Sequence, residues 1–178
     1  DDAIDINNDG DYSVVTDNTI HDCNGANGIT VNASYVTIAN NVIDGNNDGR
    51  GIYFLDTSYS TISGNTVYNF SAAHSGIAGS GNDNIIFGNA AYDGGTGIYI
   101  EGASNSARIT ISANAISAMA INGIDLGDAN NTYSTVTGNT FGTITQTIIA
   151  NNLGEGNKVY ANNTGNDETF SMMSTARH

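Results

Sequence analysis

An Ile or Val three residues ahead of an Asn returns seven times along the chain: Val15 to Asn18, Ile38 to Asn41, Ile62 to Asn65, Ile86 to Asn89, Ile111 to Asn114, Val136 to Asn139 and Val159 to Asn162. The steps from Asn to Asn are 23, 24, 24, 25, 25 and 23 residues. A period so nearly constant marks a stack of repeated supersecondary units. A second apolar alternation lies about halfway between the Asn positions, in Gly28-Ile29-Thr30-Val31, Gly51-Ile52-Tyr53-Phe54, Gly76-Ile77, Gly97-Ile98-Tyr99-Ile100 and Gly123-Ile124-Asp125-Leu126. A third apolar position follows each Asn by two residues, at Ile20, Ile43, Val67, Ala91, Ile116 and Phe141. Each has period two and is bounded by Gly, Asn or Asp, which is the signature of short strands between tight turns.

Three short strands in about 24 residues, none long enough for its own hairpin, predict one coil of a parallel β-helix. Each strand then pairs with its equivalent one coil away, roughly 4.8 Å along the axis. Helical repeats would instead show a 3.6-residue stripe. The expected fold is all-β, a single right-handed parallel β-helix domain over residues 1–178, with about seven coils to residue 164 and a tail or plug over 165–178. The seven repeated Asn are expected to form a buried ladder, each amide donating to and accepting from neighbouring coils.

Phrases such as Tyr35-Val-Thr-Ile-Ala-Asn-Asn41, Ser60-Thr-Ile-Ser-Gly-Asn-Thr66 and Ser134-Thr-Val-Thr-Gly-Asn-Thr140, each followed by a Gly-Ile strand, resemble the repeats of right-handed parallel β-helix proteins of the pectate-lyase-like superfamily, including NosD-like and surface proteins. The resemblance covers nearly the whole chain and speaks for fold rather than activity, because the repeated residues build coils. It implies acidic calcium ligands with an Arg or Lys base in lyases, and clustered Asp with His and Arg-x-Lys in hydrolases. Arg50, Arg108 and Lys158 stand in different coils and no Arg-x-Lys occurs, so no catalytic residue carries over.

Charge narrows the partners. The 178 residues carry a formal charge of -14 with four Lys and Arg, too few cations to neutralise a phosphate backbone, so nucleic acid is not an expected partner. No apolar run is long enough to span a membrane. Two Asp-x-Asn-x-Asp-Gly segments place alternate oxygen donors before a turn glycine. Asp5, Asn7, Asp9 and Asp11, and Asp44, Asn46 and Asp48, are therefore the candidate ligands for calcium, though the fold requires no cofactor. His21 with Cys23, and Met172, Met173 and His178, are weaker soft-metal patterns, and His74 reads as a surface turn residue.

Tyr12, Tyr35, Tyr59 and Tyr133 each precede a repeated Asn by six residues and are expected to stack at one corner. Tyr12, Tyr35 and Tyr59, with Glu101 and Asp125 as an outward carboxylate pair, are the candidate glycan contacts. Thr37, Thr61, Thr110 and Thr135, beside Ser63, Ser112 and Thr137, form a hydroxyl face interrupted by Ile85 and Phe87. Asn32, Asn69, Asn130 and Asn162 open glycosylation sequons. The expected function is structural and non-enzymatic: an extracellular or cell-surface building block associating end to end with itself or with flanking solenoid domains. A carbohydrate-active or glycan-binding module is the alternative, and an ice-binding solenoid the third reading.

Overall fold

The computed structural model describes residues 2–23, 25–101, 106–127, 131–150, 158–159, 164–165 and 170–172, with side-chain surroundings as far as residue 145 and at Thr164. The described chain is all-β and every strand pairing is parallel. The smaller sheet has seven strands, one from each coil: Val14–Thr16, Thr37–Ala39, Thr61–Ser63, Ile85–Phe87, Thr110–Ser112, Thr135–Thr137 and Lys158–Val159. Seven rungs make about six turns. The larger sheet runs from Ile4–Ile6 through Ile29–Val31, Ile52–Ser58, Ser75–Asn82, Ala90–Ile100 and Ala115–Asp125, and takes in the strands that follow each repeated Asn.

Register follows the sequence repeat. Val15, Ile38, Ile62, Ile86, Ile111 and Val136 align in one inward column; Ile29, Ile52, Ile77, Ile98 and Ile124 form a second. The residue two places after each Asn makes a third. All are buried and pack as one core. A one-residue slip would turn every column outward, so the spacing of apolar positions enforces the register.

Two features depart from three separate short strands per coil. Ala90–Ile100 and Ala115–Asp125 are each continuous over eleven residues, because Asp93 and Ala118 turn the corner as single left-handed residues and the ladder resumes after a register shift. Phe170–Met172, expected as part of a tail or plug, pairs in parallel with Ile144–Ala150 and so joins the larger sheet.

The buried corner is the Asn ladder. The residue before each described Asn lies in the left-handed region, with φ from 54° to 65°, whether it is Asp17, Asn40, Gly64, Gly88, Ala113 or Gly138. That twist carries the Asn side chain inward. Asn89 Oδ1 accepts from the backbone N–H of Asn65 at 2.9 Å and from Asn65 Nδ2 at 3.0 Å. Asn89 Nδ2 donates to Ile62 O at 2.9 Å and to Asn114 Oδ1 at 3.0 Å. The same pattern links Asn18 to Asn41, Asn41 to Asn65 and Asn114 to Asn139. Asn162 lies outside the described residues.

Leu at position 89 removes four hydrogen bonds to the two neighbouring coils and leaves the buried Asn65 N–H without the partner that Asn89 Oδ1 supplies, an orphaned group that alone costs about 1–3 kcal/mol. We predict that Asn89→Leu lowers the unfolding free energy by about 3 kcal/mol or more, read from the urea midpoint. Asn18→Leu, at the half-buried end of the ladder, should cost markedly less.

Candidate functional site

The outward column of the larger sheet reads Asp5, Thr30, Tyr53, Ala78, Tyr99 and Asp125 on successive coils. The coil that supplies Ala78, Ser75–Asn82, consists almost wholly of small buried residues. Gly81 has φ 122°, and a Cβ there would lie 1.7 Å from Thr57 O, so this rung hugs the one before it. Over that low rung Tyr53 Oη donates to Glu101 Oε2 at 3.3 Å, and Arg50 Nη2 stands 3.5 Å from Glu101 Oε1. The Arg50 guanidinium lies 4.3 Å from the Tyr53 ring centroid. A cation, a phenol and a carboxylate thus converge from coils two rungs apart. Burial, then the Glu101 charge, pushes the Tyr53 phenol above its ordinary range, while the Arg50 charge opposes the shift.

Beside this cluster opens a polar cleft of about 600 Å³ lined by Asp2, Asp5, Gly25, Asn27, Gly49, Arg50 and His74. His74, read as a surface turn residue, lines the cleft, and its Nδ1 lies 2.8 Å from Ser71 Oγ. The sequence puts Arg50 in a different coil from Arg108 and gives it no acidic partner. The signal that finds the cluster is the column register, which places small Ala78 between two tyrosines.

The expected pairing of Glu101 with Asp125 is not what the fold makes. Asp125 shares register with Tyr99, and its carboxylate accepts from Asn122 Nδ2 at 3.0 Å and Gly127 N at 2.8 Å, whereas Glu101 turns to Arg50 and Tyr53. Burial raises the Asp125 pKa, and those two hydrogen bonds partly offset it.

Tyr12, Tyr35 and Tyr59 stack with centroids 4.9 and 5.1 Å apart and planes within 9° and 11° of parallel. All three hold left-handed backbone, as does Tyr133 at the same corner. Stacking covers both faces of Tyr35, so at that ring solvent meets only edge and hydroxyl, whereas Tyr12, stacked on one side and 73% exposed, keeps a flat face of the kind a sugar ring packs on. The corner continues through Asp83 and Arg108, which form a bidentate pair at 2.7 and 2.6 Å. That bond, chiefly, holds the Asp83 carboxyl below its usual range. Its stabilisation is present above the ordinary carboxylate pKa, is lost as pH falls through the lowered one, and is small at an exposed site.

The two calcium-like segments serve turns. Asp44 Oδ1 accepts from Asn46 N at 3.0 Å and Asn69 Nδ2 at 2.8 Å, and Asp48 Oδ1 from Gly49 N at 2.9 Å. In the first segment Asp11 Oδ1 accepts from Ser34 N at 2.7 Å, and Asn7 Nδ2 donates to Asp5 Oδ2 at 3.5 Å. Asp9 is exposed. Among the described residues no three His, Cys, Asp or Glu side chains converge as a metal site. Cys23 is buried and its thiol pKa is raised, first by burial and then by Asp2, Asp22 and Asp44, while His21 faces solvent beside Asp22 at 3.6 Å. Met173 and His178 lie outside the described residues.

The smaller sheet presents Thr37, Thr61, Thr110 and Thr135 in one outward column and Ser63, Ser112 and Thr137 in the other. Ile85 and Phe87 stand 45% and 51% exposed at the middle rung and break its flatness, which counts against ice binding.

In comparisons with known proteins, the family model described as right handed beta helix region matches residues 1–105, more than half of the chain. No curated protein matches. A tailspike protein mutant of E. coli bacteriophage HK620 is similar in structure, with a TM-score of 0.56 and 17% identity, over 86% of this chain and 39% of that one. The chain therefore spans well under half the length of that neighbour, and the likeness is one of fold.

We predict that Glu101→Gln lowers the Tyr53 pKa toward, without reaching, that of a free phenol, because burial is the larger cause and persists. NMR titration of ring-labelled tyrosine reads the shift. An unchanged Tyr53 would mean that Glu101 does not face it.

Proposed function

The chain belongs to the right-handed β-helix family, and on that premise we propose that it is a structural segment of an extracellular or cell-surface β-solenoid, continued end to end by further rungs. The observation that carries the reading is the outer edge of the first described coil, whose strands have a pairing partner on one side only among the described residues. Ile4–Ile6, Val14–Thr16 and Thr19–Ile20 each pair on one side, with the second coil. Asn18 donates to Asn41, while its own Oδ1, whose counterparts in Asn41 to Asn139 accept two bonds each, accepts none among the described residues. An unpaired, in-register edge is a template for another strand. A second copy set in register on this edge would add a rung, and head-to-tail contact of copies need not close, so it makes filaments. Acidic charge and a fold shared with a phage tailspike protein support an exposed location.

A glycan-binding role is the second reading. The cleft at Arg50 and the adjoining Tyr53 and Glu101 favour it, since they offer hydrogen-bonding groups of both kinds around a polar hollow.

The edge is testable without disturbing the fold. Ile4 N–H donates to Gly28 O and Ile6 O accepts from Asn32 N, so the backbone groups of Asp5 between them face the open side. Pro at position 5 removes an outward backbone donor and no bond of the ladder, together with an exposed carboxylate that takes one long hydrogen bond from Asn7. We predict concentration-dependent end-to-end oligomers or fibres of the chain in electron micrographs and sedimentation, abolished by Asp5→Pro with an unchanged circular dichroism spectrum. A chain that stays monomeric at high concentration contradicts self-association through this edge.

A further inference from the structure

The tyrosine corner holds three phenols in a row on consecutive coils. The backbone at Tyr12, Tyr35 and Tyr59 repeats one left-handed turn, with φ of 67°, 59° and 56°, so each side chain leaves its coil in the same direction. All three are exposed, and their ring centres lie 4.9 and 5.1 Å apart. The bond from Arg108, and with it a weaker one from the Tyr59 hydroxyl, lowers the Asp83 pKa, so the Tyr59 O–H donates to that carboxylate on the next coil. Tyr133, exposed at the same corner three coils beyond Tyr59, has no stacked ring among the described residues.

We propose that this corner is a site of oxidative cross-linking, in which a carbon–carbon bond between the rings of Tyr35 and Tyr59 joins the second coil to the third. The chemistry needs a one-electron oxidant, supplied by hydrogen peroxide through a haem peroxidase. Each phenol gives up one electron and its hydroxyl proton. The two phenoxyl radicals pair their odd electrons in a bond between ring carbons ortho to the hydroxyls, and the two ortho hydrogens then move to the oxygens. One peroxide takes up the two electrons and two protons and becomes two waters. Rings facing each other on consecutive coils react within one molecule, at an effective concentration that no second copy matches, and the charge of -14 keeps other copies apart. Rotation about the tyrosine Cβ–Cγ bond is soft, so the two rings turn edge to edge with little change in the separation of their centres. Asp83 takes the Tyr59 proton as the electron leaves, because oxidation makes a phenol strongly acidic. Tyr12, stacked on the other face of Tyr35, is the competing partner. The bond ties residues 24 positions apart and, like a disulfide, restricts the unfolded chain.

The test is treatment of the full chain, at low micromolar concentration, with haem peroxidase and hydrogen peroxide, read by dityrosine fluorescence, a denaturing gel and peptide mass spectrometry. The expected product runs as a monomer, has lost two hydrogens, and carries the bond between the peptides of Tyr35 and Tyr59. Its thermal midpoint rises above that of the untreated chain. Tyr35→Phe keeps an aromatic ring in the stack but has no phenol to oxidise, so it loses both that product and the rise. Asp83→Asn moves the bond toward Tyr12 and Tyr35, whereas Arg108→Gln, which breaks the same ion pair and keeps the carboxylate, leaves it on Tyr59. A chain that yields dityrosine only in dimers, or none at all, overturns the proposal. So does Tyr133 entering cross-links as often as Tyr35, or a product that survives Tyr35→Phe unchanged.

Discussion

The structure depends on a hydrogen bond that each coil makes to the next through an Asn side chain. In a stack of short parallel strands the turns are the weak element, because their N–H and C=O groups point along the axis into the core where water does not reach. An amide with two donors and a twofold acceptor answers both neighbours at once. In Asn41, Asn65, Asn89 and Asn114 it does so from a side chain no more than 2% exposed. The left-handed residue before each Asn is the local cost of placing that side chain inward. Gly meets it freely at 64, 88 and 138, while Asp17, Asn40 and Ala113 adopt it under the constraint of the stack.

Identical corners leave the outward positions free to differ, and function collects there. On the larger sheet the low rung at Ser75–Asn82 lets Tyr53 reach across to Glu101 with Arg50 above it. The smaller sheet is short, straight and uncharged for six rungs, so apolar side chains at its centre stand out against small hydroxyls. At the tyrosine corner, stacking offsets the strain of three bulky residues, Tyr12, Tyr35 and Tyr59, in the left-handed region. One scaffold thus presents a polar cleft, an apolar face and an outer strand edge in three different directions.

The repeat was legible because its physics is periodic. Val15 to Val136 and Asn18 to Asn139 recur at the spacing of one coil, and coil closure forces equivalent residues into columns. What the sequence hid depends on relations between columns. Arg50 and Glu101 are 51 residues apart, and only the register through Ala78 brings them together. Glu101 and Asp125 are one repeat apart, yet the offset of two positions within their rungs sends them to different partners. The tyrosine stack could be read from spacing, whereas the covering of its ring faces depends on the 5 Å rise between coils. Eleven-residue continuous strands were equally hidden, since Asp93 and Ala118 look like ordinary turn and strand residues until a corner bends around them.

The most direct test of the account is hydrogen exchange of the Asn side-chain amides, assigned by NMR in the intact chain. If the ladder holds the stack, the Nδ2 protons of Asn41, Asn65, Asn89 and Asn114 exchange as slowly as the backbone amides of the core strands, and those of Asn18 in the first described coil exchange much faster. Exchange of all five at the rate of a solvated amide would contradict it.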